Sequence, residues 1–378
     1  MRVLILWLLV VGAWAEPPGR VIDYSPAESG LYIGSPSIVI LQSGDYMASH
    51  DFFGPKSGEH ELATSVVFAS SDRGENWRKV ATLNGLFWAG LFVHRDAVYI
   101  MGTDKHHGRI VIRRSKDNGR TWTEAKDGTS GLLTSRAEYH TAPTPVIEHD
   151  GRLWRAFEDA SGGTKWGMRY LAMVLSAAVD SDLLDAKSWT FSETVTRNPE
   201  WLDGRFNAWL EGNAVVTPEK QIVNILRVDV TGCPEKAAIL AVSTDGKKQA
   251  FDAERDIVDF PDGAKKFTIR YDAESQAYWT LATAVPKEFQ SAAKPASIRN
   301  TLVLMRSKNL RDWEIRATLL QHADVKAHGF QYPDWQFDGP DIIAAVRTAY
   351  DDAKGGAHNA HDANYLTFHR FAGFRTLR

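Results

Sequence analysis

The sequence predicts an all-β chain folded as a single β-propeller of four-stranded antiparallel blades. Three observations carry that expectation. The pattern S-x-D-x-G-x-x-W occurs twice, as "SSDRGENW" (Ser70, Asp72, Gly74, Trp77) and as "SKDNGRTW" (Ser115, Asp117, Gly119, Trp122). Short apolar, β-branched runs recur along the chain, each followed by a turn and a second such run. Long stretches of helical periodicity are lacking.

The two repeats are Asp-box turns. The aspartate accepts backbone N–H groups inside the turn, the glycine supplies a left-handed backbone, and the tryptophan packs between blades. Weaker copies follow at "STDGKK" (Ser243 to Lys248) and "SKNLRDW" (Ser307 to Trp313). Such repeats mark propellers. Six innermost strands can be laid out in order, in "SPSIVIL", "GLFVHRD", "TAPTPVIEH", "GNAVVT", "KKFTIRYD" and "GFQYPDWQF". Turns such as "SGD", "HDG", "TPEK" and "DAES" lead into the second strands. "RVIDYS" near the N-terminus is placed to close the ring beside the C-terminal strands. The count is six blades, with room for a seventh between residues 180 and 210.

Residues 1–15 read as a signal peptide. Arg2 is followed by the short apolar run "VLILWLLVVGAWA", and Ala13-Trp14-Ala15 fits a small-residue cleavage site. The run is too short for a spanning helix. The expectation is a secreted chain, periplasmic or extracellular, whose propeller occupies residues 16–378. The single cysteine, Cys233, excludes an intramolecular disulfide and any CxxC metal site. The core must therefore hold the chain, and 44% hydrophobic composition is enough for that. A formal charge of −3 gives no reason to expect nucleic acid, and no membrane partner is expected.

In a propeller the loops after the second strands gather at one mouth, so aligning those strands is a search for a site. The first such strand, "YMASHDF", ends in His50. Arg227 in "VNILRVD" and Arg347 in "IAAVRTAY" occupy the matching position in two other blades. Lys105, His106 and His107 follow the second strand of blade two, and Arg155, Glu158 and Asp159 sit in "LWRAFED". Segments leading into the inner strands add Tyr139 and His140, then Trp209, Glu211 and Asn213, then His328, Gln331 and Tyr332. "GGAHNAHDANY" adds His358 and His361. No histidine pair has the H-x-x-x-H spacing of a helical metal site, so no catalytic metal is expected. Trp77, Trp122, Trp189 and Trp313 are accounted for by blade packing. Trp88, Trp209 and Trp335 are the candidates for stacking on a sugar ring.

These residues carry a resemblance. The Asp boxes resemble those of the sialidase superfamily. Sialidases, however, carry an arginine two residues before the proline of the first inner strand, where this chain has Gly34-Ser35-Pro36. A sialic-acid arginine triad is therefore not expected. "VIDYSPAESGLYIGSPSIVILQSGDYMASHDFFGPKS", "GTDKHHG", "EYHTAPTPV", "WLDGRF", "LEGNAVV" and "KKFTIRYD" look like blocks of the propeller family acting on L-rhamnose linked α-1,4 to glucuronate. That linkage caps arabinogalactan side chains. The resemblance spans essentially the whole chain after residue 15 and implies seven blades. It also implies a histidine as the key catalytic group, in enzymes described both as rhamnose–glucuronate lyases and as α-L-rhamnosidases.

β-Elimination at a uronate needs a base near C5, a proton donor to the leaving oxygen, and cations on the carboxylate. Histidines with arginines supply that set, whereas hydrolysis usually wants two opposed carboxylates. The expected catalytic residues are His50, His106, His107 and Tyr139. The expected substrate-binding residues are Lys105, His140, Arg169, Trp209, Asn213, Arg227, Gln331 and Arg347. Hydrolysis of the same linkage, an exo-sialidase-like activity and a non-catalytic glycan-binding propeller are the alternatives. A plant-type acidic polysaccharide or oligosaccharide is the expected partner and a monomer the expected state. No cofactor is expected, though a structural cation such as calcium could sit in the channel.

Overall fold

The computed structural model describes residues 16–232, 236–261 and 265–377. The leader reading and Cys233 lie outside these residues. Six antiparallel sheets follow one another around a ring. Blade one runs from Tyr32 to Asn84, with the inner strand Ser37–Ile40 paired to Tyr46–Phe53. Blade two begins at Phe87–His94. Its fourth strand is reduced to a bridge between Val111 and Leu132. Blade three ends at Trp189–Phe191, blade four opens at Phe206–Val216, and blade five opens at Thr268–Asp272.

Blade six takes its inner strand from Gly329–Asp338 and its outermost strand from Arg20–Tyr24, which pairs with Tyr365–Phe371. The N-terminal strand closes the ring, as "RVIDYS" suggested. All six inner strands fall where the sequence placed them. The described residues form six blades, not the seven implied by the resemblance. Residues 180–210 hold a 3₁₀ turn at Ala186–Ser188, the last strand of blade three, a short helix at Trp201–Gly204 and the start of blade four.

Strands of a propeller turn their two faces toward neighbouring blades, so the apolar residues form a cluster at each blade interface. Ile38, Tyr46 and Ala48 pack with Ile343 and Ala345 of blade six. Val39, Leu41 and Met47, of opposite parity, pack with Leu91 and Ile100 of blade two. Val223 and Ile225 face blade five. Each buried aliphatic or aromatic side chain contributes about 1.5–3 kcal/mol. The ring is held by these interfaces and by its strand closure.

The Asp boxes join the third and fourth strands and repeat atom for atom. Ser70 Oγ donates to Asp72 Oδ1 at 2.8 Å and Ser115 Oγ to Asp117 Oδ1 at 2.9 Å. The N–H groups of Gly74 and Gly119 donate back to those serines at 2.9 and 2.8 Å. Trp77 and Trp122 donate through Nε1 to the Gly74 and Gly119 carbonyls. In blade five Leu310 takes the glycine position at φ +65, and Trp313 Nε1 donates to its carbonyl. Around the axis, Asp334 of blade six accepts Ser37 Oγ at 2.8 Å and faces Arg270 of blade five at 3.2 Å.

Candidate active site

At the end of the ring opposite the Asp boxes, a cavity of about 220 Å³ opens among the inner strands. Three of its walls are built by one backbone device. The inner strands of blades two, four and six each slip register, between Phe87 and Gly90, Leu210 and Asn213, and Gln331 and Asp334. In each slip one bulky residue stands in left-handed backbone: Trp88 at φ +50, Glu211 at φ +49 and Tyr332 at φ +53. Such a conformation costs a non-glycine residue roughly 1–3 kcal/mol and clusters at functional sites. All three side chains line the cavity.

Tyr332 Oη donates to Glu211 Oε1 at 2.6 Å, and Arg227 Nη1 donates to Glu211 Oε2 at 2.7 Å. Burial alone would raise the Glu211 pKa, but Arg227, His140 and the Tyr332 hydrogen bond hold it below the usual range. Burial and the Glu211 charge push the Tyr332 phenol up, opposed by Arg227, Arg299 and Arg347. The guanidinium carbons of Arg347 and Arg299 lie 5.2 and 5.9 Å from the Tyr332 ring centre. Gln331 holds Arg299 by accepting its Nη1 at 2.6 Å. Arg347 donates to the His361 carbonyl and stands over Phe53 at 4.3 Å.

Across the cavity lies Asp51. Its Oδ1 accepts the Ser35 N–H at 2.7 Å and its Oδ2 the Trp88 N–H at 2.5 Å. Burial, only partly opposed by those bonds and by nearby His50 and Arg347, pushes its pKa up to about 6. A Cβ on Gly34 would fall 1.7 Å from Asp51 Oδ1, so glycine there makes room for this carboxyl. Glu59 lines the same cavity and accepts the Gly54 N–H at 2.8 Å.

His140 also lines the cavity. Its Nδ1 is 2.7 Å from Glu158 Oε2, whose other oxygen accepts the Gly212 N–H. The ring stacks on Tyr170 at 4.3 Å. The Glu158 contact fixes the ring orientation through Nδ1 and turns Nε2 away from that carboxylate.

The expected site residues divide. His106, His140 and Arg347 line the cavity. Arg227 stands directly behind Glu211. His107 is one layer out, its Nε2 2.9 Å from Tyr170 Oη and its Nδ1 3.2 Å from Arg169. Burial pushes both His106 and His107 down to about 3, so both rings are neutral at ordinary pH. Arg169 also faces Glu138 at 3.3 Å. The Lys105 side chain is not among the lining groups.

Six other candidates are placed elsewhere. His50 is turned away: its side chain is fully buried, with Nε2 2.8 Å from Asp23 Oδ2 and its ring stacked on Phe68. Tyr139 belongs to the interface of blades two and three, where Arg136 donates to its hydroxyl. Trp209, with no exposed surface, packs among Trp201, Phe206 and Phe251 and offers no face to a sugar. Trp335 is equally buried. Asn213 ties blades four and five through the Phe267 carbonyl and the Ile269 N–H. Gln331 is fully buried and acts on Arg299.

Strand parity explains the loss of His50. Along Tyr46–Phe53 the odd residues face the next blade and the even ones the previous blade. Arg227 continues the face of Val223 and Ile225, and Arg347 that of Ile343 and Ala345, both toward the next blade. The residue sharing their face is Asp51, one position on.

A larger groove of about 550 Å³ lies between blades three and four, but it gathers no comparable set of titratable groups. Among the described residues no group of three or more His, Cys, Asp or Glu side chains is arranged to hold a metal ion. No helix of the described residues is long and apolar enough to cross a membrane.

No protein-family model matches the sequence, and no curated protein matches it. Solved structures do match in fold. An α-L-arabinanase of Penicillium chrysogenum, complexed with arabinobiose, aligns at TM-score 0.55 and 12% identity over 95% of this chain and 99% of that one. An α-L-arabinofuranosidase of Fusarium graminearum, complexed with an iminosugar inhibitor, aligns at 0.56 and 10% over 93% and 97%. The sialidase of Trypanosoma rangeli, complexed with sialic acid, aligns at 0.58 and 12% over 93% of this chain and 59% of that one. At these identities the likeness is one of fold: the chain shares the β-propeller of sialidases and arabinan-degrading enzymes.

Proposed function

We propose that this protein is a carbohydrate-cleaving enzyme that takes a terminal, carboxylate-bearing sugar into the cavity and breaks its glycosidic bond by substitution at the anomeric carbon. The observation that carries the reading is the Tyr332–Glu211 hydrogen bond set among three guanidiniums. Arginines recognise carboxylates with charge-assisted bonds, and here Arg347 of blade six lines the cavity while Arg227 and Arg299 stand behind Glu211 and Tyr332. Sialidases are the glycosidases that use a tyrosine nucleophile, and the fold is theirs.

In this mechanism Tyr332 Oη attacks the anomeric carbon while its proton passes to Glu211. Asp51, protonated below about pH 6, gives its proton to the leaving oxygen. Water then attacks the anomeric carbon of the aryl glycoside formed on Tyr332, Asp51 takes the water proton, and Glu211 returns its proton to the departing Tyr332 oxygen. A cavity of this size, below the roughly 300–1,000 Å³ of drug-sized sites, suits a single terminal sugar. The reading includes export of the chain and a plant-type acidic polysaccharide or oligosaccharide as substrate.

A second reading, elimination at a rhamnose–glucuronate bond, is favoured by one specific feature. His140, oriented by Glu158 through Nδ1, would turn Nε2 to the substrate as the C5 base, and Arg347 would neutralise the uronate. Products separate the two. The protein is incubated with sialylated oligosaccharides and with rhamnose-capped glucuronides, following free sugar and the unsaturated-uronate absorbance together. Free sugar without that absorbance, abolished in Tyr332→Phe, supports substitution. Rising absorbance, abolished in His140→Ala, supports elimination. No turnover of either would reject both.

A further inference from the structure

Resting on the cavity's reading as a site for a terminal acidic sugar, the structure points to a second sugar position outside it. Trp166 lines the cavity yet is 57% exposed. Six large apolar side chains are more than a third exposed among the described residues, and Trp166 is the tryptophan among them. It is also the one that borders the cavity.

The segment carrying it, after the second strand of blade three, is firmly built. Gly162 N–H donates to the Arg169 carbonyl at 3.0 Å, closing the base of the loop. Arg169 N–H donates to Lys165 and Met168 N–H to Trp166 itself, at 3.1 and 2.9 Å. Gly167 turns the chain at φ +78, and a Cβ on Gly162 would meet the Arg169 carbonyl at 2.6 Å. The Arg169 guanidinium donates to the Ala160 carbonyl and contacts His107 and Glu138. Trp166 touches Tyr170 edge-on at 6.0 Å, with most of its ring surface left to solvent. A loop so constrained holds an uncovered indole at a fixed place on the rim.

Exposing an indole in this way leaves a large apolar surface in water in the free protein, and an aromatic face beside a sugar pocket is the surface on which a pyranose ring packs. We propose that Trp166 stacks on the sugar next to the terminal one, the leaving group. The substrate is then an oligosaccharide in which a second pyranose contributes to binding, rather than an acidic sugar on an arbitrary alcohol.

The test uses full-length Tyr332→Phe protein, so that ligands bind without turnover, with and without Trp166→Ala. Binding is measured by calorimetry for N-acetylneuraminate against 3′-sialyllactose, and for glucuronate against a disaccharide with glucuronate at its non-reducing end. Expected is about tenfold weaker binding of the disaccharide or trisaccharide in Trp166→Ala, with the monosaccharide within twofold. Trp166→Phe should recover part of the loss, which a merely structural role for the loop would not predict. Equal affinities of Trp166→Ala and its parent for the longer ligands would overturn this inference and leave the cavity reading standing. Failure of the parent to bind any of the four would overturn both.

Discussion

On the turn face, Asp72 accepts the N–H of Asn76 at 2.9 Å and Asp117 that of Thr121 at 2.9 Å. At the mouth, Asp51 accepts two backbone N–H groups at 2.7 and 2.5 Å. The partners are of one kind, yet the acidities diverge. The exposed turn carboxyls are held at about 2, Asp72 first by the Asn76 N–H and Asp117 first by the Thr121 hydroxyl. Burial takes Asp51 to about 6. Hydrogen bonds alone stabilise a carboxylate, whereas the same bonds in a dry wall lose to desolvation. Left-handed backbone occurs on both faces. At the turns it falls on Arg73 and Gly74 and on Asn118 and Gly119, on exposed residues or glycine, while at the mouth Trp88, Glu211 and Tyr332 hold it and line the cavity. One face spends its polar groups on the fold, and the other keeps a carboxyl of raised pKa and three bulky left-handed residues around a cavity.

The largest effect expected from breaking this contrast is at Tyr332. Tyr332→Phe removes one hydroxyl and should cut turnover by about 10³-fold or more, with an unchanged circular dichroism spectrum and melting midpoint. Retention of a tenth of the activity would exclude Tyr332 as nucleophile.

Asp51→Asn should cost roughly 10²–10⁴-fold. In the parent enzyme the rate should fall as pH rises through about 6, because the acid must be protonated, and the substitution should abolish that limb. The linkage has the same sign. A carboxyl whose folded pKa is raised stabilises most below its unfolded value near 3.8 and loses that contribution as pH rises through about 6. A pH–rate profile with no limb near 6 would remove Asp51 from the proton path.

His50→Ala removes a fully buried ring and leaves Asp23 without its partner, so unfolding should be easier by about 2–4 kcal/mol. The folded fraction should turn over normally, and a loss beyond tenfold there would return His50 to the chemistry. Smallest are Asp72→Ala and Asp117→Ala. Each should lower the melting midpoint by a few degrees at most and leave kcat and KM alone.

Much of the fold was legible because its signals are local. An Asp box occupies eight residues, each inner strand is a single apolar run, and "RVIDYS" is an extended segment with nothing nearby to pair with. The mouth is assembled from distant segments, and there legibility fell. His106, His140 and Arg347 could be found because charged or imidazole residues at strand ends are few. Asp51 is hidden by one residue of strand parity, beside the more conspicuous His50. Tyr332 and Glu211 were noticed as neighbours of inner strands, but their pairing depends on two register slips that no pattern of hydrophobicity announces. Arg299 follows a 3₁₀ turn at Pro295–Ser297 and belongs to no motif. Trp209 and Trp335 misled because a tryptophan that fills a blade interface and one that meets a sugar look alike in a sequence. Trp166, set among glycines in "SGGTKWGMR", carried the better signal.

The central claim is that a glycosidic bond is broken here by substitution through Tyr332. The direct measurement is hydrolysis in ¹⁸O-labelled water, with mass analysis of the sugar released from an acidic oligosaccharide. Substitution predicts one ¹⁸O at the anomeric carbon of that sugar in the first turnovers, with the configuration there retained and no unsaturated product. An unlabelled released sugar accompanied by an unsaturated uronate would contradict the claim.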